Sequence, residues 1–239
     1  MEVITFGERK NPCVVFLHGW GGGFSSFSFF AKALSDNFFC VVVDFNSLIQ
    51  GDKVLKIDDF KDCVLNYLKE NQIDSASFVA HSFGGRVVAK IAECDAKILE
   101  KVVLIDSAGL RPRRNLWYYI KVRWFKFQVK LAKLHLVKES KLKKYGSADY
   151  VRLPETQKQT FKNIVNTFLE AGFANINSPT LIYWGEKDYE TPLFMAKKLK
   201  RLIKNSEIII EKDVGHFSYL KNPAKFIKIL TIFLEEKDE

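Results

Sequence analysis

Two kinds of apolar pattern alternate along the chain: short runs that are apolar almost throughout, and longer stretches with an apolar residue at every third or fourth position. The runs fall at 3–6, 14–18, 39–44, 77–80, 102–106, 181–184 and 207–210. Most have their polar residue only at one end, as in Val14-Val15-Phe16-Leu17 before His18. A strand with that pattern must be covered on both faces, so the runs predict an α/β fold with a mostly parallel sheet between two layers of helix. The periodic stretches predict helices over 25–36, 58–71, 84–94, 192–203 and 223–236. In the second of these, Phe60, Val64, Tyr67 and Leu68 mark one buried stripe. Pro192 and Pro223 stand where a first helical turn tolerates proline.

The alternation breaks once. About seventy residues separate the strand ending at Asp106 from the one starting at Leu181, far more than an ordinary connection needs. An inserted subdomain over 110–177 is expected, with 1–109 and 178–239 forming one core. Within it, Leu116, Ile120, Trp124, Phe127, Leu131 and Leu134 recur at helical spacing, while Lys121, Arg123, Lys126, Lys130 and Lys133 fall mostly elsewhere on the wheel. That is the pattern of a basic amphipathic helix. A second helix is expected over 154–170.

Composition sharpens this picture. With 47% hydrophobic and 14% aromatic residues the chain can fill a core, which excludes disorder as its main state. No apolar run approaches the roughly 20 residues of a membrane span, and 1–10 lack the apolar centre of a signal peptide. A cytoplasmic location is the expectation. Cys13, Cys40, Cys63 and Cys94 lack the paired spacing of a zinc site and are expected to be buried free thiols. The formal charge of +9 is local: between 111 and 147, twelve Lys or Arg accompany one acid, Glu139, a surplus of +11 that leaves −2 for the remainder.

Candidate chemistry centres on Ala80-His81-Ser82-Phe83-Gly84-Gly85, which follows an apolar run and opens a helix. A serine at such a sharp strand-to-helix turn is exposed as a nucleophile, and the small residues two before and two after it let strand and helix cross closely. Ala80 adds one methyl to the usual G-x-S-x-G pattern. A second glycine-rich turn, His18-Gly19-Trp20-Gly21-Gly22-Gly23, also joins a strand to a helix. There the backbone N–H of Trp20, with that of Phe83, is placed to form a two-donor oxyanion hole. Neither G-x-G-x-x-G nor a lysine-bearing phosphate loop is present, which argues against nucleotide binding.

Trp184-Gly185-Glu186-Lys187-Asp188 and Asp213-Val214-Gly215-His216-Phe217 each follow a late strand. The chain order Ser82, Asp188, His216 is that of one particular Ser-Asp-His arrangement. It predicts Ser82 as nucleophile, His216 as general base and Asp188 as the acid that orients the base. Asp106 also ends a strand and Asp213 lies near the base, so both compete for the acid's role. His18, Gly19, His81, Trp117 and Trp124 are candidate pocket residues, while His135 falls in the basic insertion.

Together these marks resemble the α/β-hydrolase superfamily over nearly the whole chain outside the insertion. The resemblance implies that 110–177 form a helical cap over the active site. It also implies a cofactor-free acyl transfer with no metal. Trp20 after His18-Gly19 is similar to the branch holding small carboxylesterases and the pimeloyl-carrier-protein methyl ester esterase. Asp44-Phe45-Asn46-Ser47 departs from the family's proline-glycine turn. Thioesterases, hydrolases of carrier-linked acyl esters, carbon-carbon bond hydrolases and perhydrolases share the same triad, and a ligand-binding receptor could keep the fold. Serine at 82 argues against a haloalkane dehalogenase.

The basic cap, interleaved with Trp117, Tyr118, Tyr119, Trp124, Phe125 and Phe127, suits an acidic carrier protein or an anionic membrane surface, unless it is simply a solvated face. Nucleic acid is not expected, because the aromatics follow helical periodicity. Charge reversal of Lys126, Lys130 and Lys133 is expected to weaken binding to an acyl carrier protein at least tenfold in titration calorimetry. Unchanged affinity would remove the docking reading.

Overall fold

The computed structural model of the protein describes residues 1–112, 123–124 and 153–236. Its strands are β1 (Glu2–Phe6), β2 (Cys13–Leu17), β3 (Phe39–Asp44), β4 (Ala76–His81), β5 (Leu99–Ile105), β6 (Thr180–Gly185) and β7 (Ser206–Glu211). They form one sheet in the order β1-β3-β2-β4-β5-β6-β7, parallel throughout except for β1 against β3. From β2 the chain winds outward to β3, and from β4 it winds the other way to β5. The carboxyl ends of β2 and β4, paired through Leu17 and Ala80, therefore flank the point where an open α/β sheet has its natural crevice.

The helices are α1 (Ser28–Leu34), α2 (Asn46–Ile49), α3 (Ile57–Glu70), α4 (Phe83–Asp95), α5 (Glu155–Val165), α6 (Glu170–Ala174), α7 (Phe194–Leu202) and α8 (Pro223–Glu235). Period-two alternation along the strands splits the interior into two cores. Val15, Leu17, Phe78, Ala80, Val102 and Leu104 face α3 and α4. Val14, Phe16, Val79, Val103 and Ile105 face α1 and α8. Lys101 of β5, 5% exposed, donates to the carbonyls of Phe233 (3.0 Å), Leu234 (3.3 Å) and Glu236, which fixes the end of α8 to the sheet.

Several local expectations are corrected. The helix expected over 25–36 begins as a 3-10 turn, Phe24–Ser26, before α1. Pro192 lies ahead of α7, where its carbonyl accepts the Met195 N–H at 2.7 Å. The helix expected over 154–170 is divided into α5 and α6, because tertiary bonds capture the connecting backbone. Leu169 N–H donates to Gly109 O at 2.9 Å, and Arg86 takes the carbonyls of Ile164 and Thr167. The turn α2 appears where Asp44 accepts the Asn46 N–H at 2.7 Å. Cys13 and Cys40 are buried, and burial pushes both thiols up to about 12. Cys63 is half-buried and Cys94 exposed, contrary to expectation; all four are free. The basic helix expected within the insertion, with Trp117, Lys126, Lys130 and Lys133, lies outside the described residues apart from Arg123 and Trp124. No helix among the described residues is long and apolar enough to cross a membrane.

Candidate active site

β4 ends at His81 and α4 begins at Phe83, which leaves Ser82 alone to make the turn, at φ 48° and ψ −106°. A non-glycine residue so placed costs about 1–3 kcal/mol and persists only where its surroundings hold it. Here they do. The Ser82 N–H donates to Ile105 O at 2.9 Å, and its carbonyl accepts the N–H groups of Gly85 (3.1 Å) and Ala108 (3.0 Å). The glycines of the motif are required by contact: a Cβ on Gly84 would lie 2.3 Å from Leu17 O, and one on Gly85 1.9 Å from Ser107 Oγ. Ala80, by contrast, is fully buried in the core beneath the turn, so its extra methyl is accommodated.

The loops after β6 and β7 are pressed together. A Cβ on Gly185 would meet Gly215 O at 2.2 Å, and Lys187 N–H donates to Val214 O at 2.8 Å. This brings His216 Nδ1 to 2.8 Å from Asp188 Oδ2, while His216 Nε2 lies 2.9 Å from Ser82 Oγ. Asp188 is 3% exposed and also accepts from Glu190 N–H (2.8 Å), Thr191 N–H (2.9 Å) and Thr191 Oγ1 (2.6 Å). Burial works to raise its pKa, but the bonds from His216 and Thr191 outweigh that and hold it below the usual carboxylate range. For His216, burial disfavours the imidazolium, yet the bond and charge of Asp188, helped by Glu190 and Asp106, carry its pKa above the ordinary value. With Nδ1–H given to Asp188, Nε2 is left to accept from the Ser82 hydroxyl.

Of the competing acids, Asp213 is exposed and paired with Lys187 at 2.6 Å, away from the imidazole. Asp106 is fully buried and serves both loops: Oδ1 accepts Gly185 N–H at 2.8 Å, and Oδ2 accepts Ser218 N–H at 3.0 Å and Ser218 Oγ at 2.6 Å. Burial pushes its pKa up to about 6 despite those bonds. The sequence offered a hint in a strand-ending acid, but the Ser218 partner is not recognisable from spacing.

The histidines divide sharply. His18 is fully buried and does not border the cavity at Ser82. Its Nε2 accepts the Phe45 N–H at 3.0 Å, so Nδ1 carries the proton and donates to Gly19 O at 2.6 Å. Burial lowers its pKa, and the ring pins the glycine-rich turn to the loop after β3. His81 borders the cavity, and its Nε2–H donates to His216 O at 2.8 Å. Burial, then the nearby His216, lowers its pKa to about 3, so it stays neutral. Gly19 must lack a side chain, since a Cβ would come within 2.7 Å of His81 Nδ1.

Trp20 and Phe83, sixty-three residues apart in sequence, meet edge to face at 5.6 Å beside the serine. Phe83 opens α4, so its N–H has no acceptor within the helix. A cavity of about 1120 Å³ spreads from Ser82 and His216 to Trp20, Arg86, Phe161 and Glu190. Trp124, 57% exposed, is not among its lining residues. Among the described residues no group of three or more His, Cys, Asp or Glu is arranged to hold a metal.

A doubly covered parallel sheet with a serine at a strand-to-helix turn, facing a histidine and an acid from two later strands, defines the class of α/β hydrolases. The chain belongs to the Alpha/beta hydrolase family, whose model matches residues 14–229. It is 24% identical to the uncharacterized hydrolase YugF of Bacillus subtilis over 97% of this chain and 94% of the relative. Among solved structures it is similar to a bacterial membrane phospholipase A, with a TM-score of 0.75, 21% identity, and coverage of 98% of this chain and 81% of the other. The enol-lactonase of Burkholderia xenovorans LB400 aligns with a TM-score of 0.72 at 20% identity, covering 98% and 96% respectively. At those identities the structures establish a shared fold.

The raised pKa of Asp106 has a definite sign for stability. With about 6 in the folded protein against 3.8 as the ordinary value, its favourable contribution is full below pH 3.8 and is lost as pH rises through 6. Urea unfolding of wild type and Asp106→Asn, compared at pH 7 and about pH 4.5, is expected to shift in favour of wild type by about 2 kcal/mol at the lower pH. A difference independent of pH would contradict a buried, proton-binding carboxylate.

Proposed function

We propose that the protein is a serine hydrolase of carboxylic esters that works through an acyl-enzyme. The observation that carries this reading is the unbroken line Ser82 Oγ, His216 Nε2, His216 Nδ1, Asp188 Oδ2, with separations of 2.9 and 2.8 Å across its two contacts. As Ser82 Oγ attacks the ester carbonyl, its proton passes to His216 Nε2, and the carbonyl oxygen becomes an oxyanion. The N–H groups of Trp20 and Phe83, the latter at the positive end of α4, stabilise that charge. Imidazolium then protonates the departing alcohol, leaving Ser82 acylated. Water, deprotonated by the same nitrogen, attacks the acyl-enzyme, and its collapse returns the proton to Ser82 and releases the acid.

Asp188 acts by holding the imidazole in one tautomer and by stabilising its cation, a role that needs an ionised acid. Its lowered pKa keeps it so. Likeness to proteins named as a phospholipase A and an enol-lactonase, activities on esters, supports an ester rather than a carbon-carbon bond as the target. The chemistry uses side chains and backbone alone, and the insertion over 110–177 is read as a cap over the cavity.

Ser82→Ala is expected to lower p-nitrophenyl butyrate hydrolysis by at least about a thousandfold while leaving the melting temperature within a few degrees of wild type. Because the base must be neutral and the pKa of His216 is raised, the acid limb of wild-type kcat/KM should have its midpoint above about 6.5. Retained turnover in Ser82→Ala would exclude the nucleophile.

A further inference from the structure

Arg86 lies on α4 four residues beyond Ser82, about 6 Å further along the helix axis, and borders the same cavity. Although only 8% exposed, it uses one nitrogen alone: Nη1 donates to Ile164 O at 2.8 Å and Thr167 O at 2.6 Å. Both acceptors are neutral carbonyls. Among the described residues no carboxylate pairs with this guanidinium, and burial is the sole influence on its pKa, lowering it to about 10.

A guanidinium has five N–H donors, and those on Nε and Nη2 make no bond among the described residues. Yet no fully buried side-chain nitrogen or oxygen among those residues lacks a partner, so Nε and Nη2 keep some exposure, and the open space that Arg86 borders is the cavity. A neutral amide would hold two carbonyls without burying a charge. Keeping a cation inside a protein with only carbonyls as its partners among the described residues costs several kcal/mol, which an anionic ligand would offset. Beside the imidazole the sign is the other one: Glu190, which also borders the cavity, has Oε2 3.5 Å from His216 Nε2. An anionic group on a substrate is therefore repelled beside the imidazole and attracted at Arg86.

We propose that Arg86 binds a carboxylate at the far end of the acyl chain, so that the preferred substrates are half-esters of dicarboxylic acids. The planar fork of Nε and Nη2 matches the two oxygens of a carboxylate, and Arg86 borders the same cavity as Ser82 about one helical turn along α4. This rests on the esterase reading above. Arg86 is a specificity-determining residue in it, while Ser82 and His216 perform the chemistry.

The test compares kcat/KM for monomethyl adipate and methyl hexanoate in wild type, Arg86→Lys and Arg86→Met. Wild type is expected to prefer the carboxylated ester by roughly ten- to a hundredfold, Arg86→Met to lose that preference, and Arg86→Lys to keep part of it. If Arg86 only braces the segment between α5 and α6, its loss slows both esters alike and leaves their ratio unchanged, which overturns the proposal. So does a wild type that hydrolyses the neutral ester without favouring its partner. Should wild type turn over neither ester, the esterase reading falls instead. Calorimetric binding of the same two esters to Ser82→Ala, with and without Arg86→Met, then decides whether the guanidinium takes the carboxylate.

Discussion

The close approach of α4 to the end of β2 is the constraint on which the rest depends. No side chain fits between Gly84 and the Leu17 carbonyl, where a Cβ would come within 2.3 Å, so strand and helix meet at backbone contact. That contact forces the single residue between β4 and α4 into its strained turn, and the strain lifts a hydroxyl clear of the sheet. It also sets Trp20, just beyond β2, against Phe83 at the start of α4, with both bordering the cavity. Ser82, Trp20 and Phe83 are thus positioned by one packing decision rather than by separate ones.

The other half of the site is organised by two buried acids with opposite electrostatic fates. Asp188 gains enough hydrogen bonds to remain a strong anion beneath His216, while Asp106 is driven toward protonation and acts as a clamp. Asp106 touches Gly185 at the root of one loop and Ser218 just past His216 in the other, and so ties together the two loops that carry Asp188 and His216. Two neutral histidines perform comparable service. His18 steadies the glycine-rich turn, and His81 holds the carbonyl of His216. Against this background Arg86 stands out as a buried charge whose partners within the described residues are only carbonyls.

Much of this was legible in the sequence because it follows from periodicity and from glycines. Each of the seven apolar runs became a strand: β2 to β6, buried almost throughout, fill the middle of the sheet, while β1 and β7, with exposed positions, form its edges. Ser82 and Asp188, chosen with His216 from chain order and strand ends, each lie within hydrogen-bonding reach of the His216 ring. What the sequence hid depends on tertiary partners. The break between α5 and α6 is made by Gly109 and Arg86, which are distant in the chain, so local propensity could not disclose it. His18 belongs to a loop motif and resembles a pocket residue until its two nitrogens are seen to be taken by backbone. The clamp formed by Asp106 escaped for the same reason, because Ser218 carries no signal of its own.

If His216 makes the Ser82 hydroxyl nucleophilic, a fluorophosphonate added to the native protein will modify that residue, which peptide mass spectrometry identifies. A single stoichiometric adduct on Ser82 is expected, with a labelling rate that rises as His216 loses its proton. A native, folded protein that acquires no adduct, or acquires it on another residue, would contradict it.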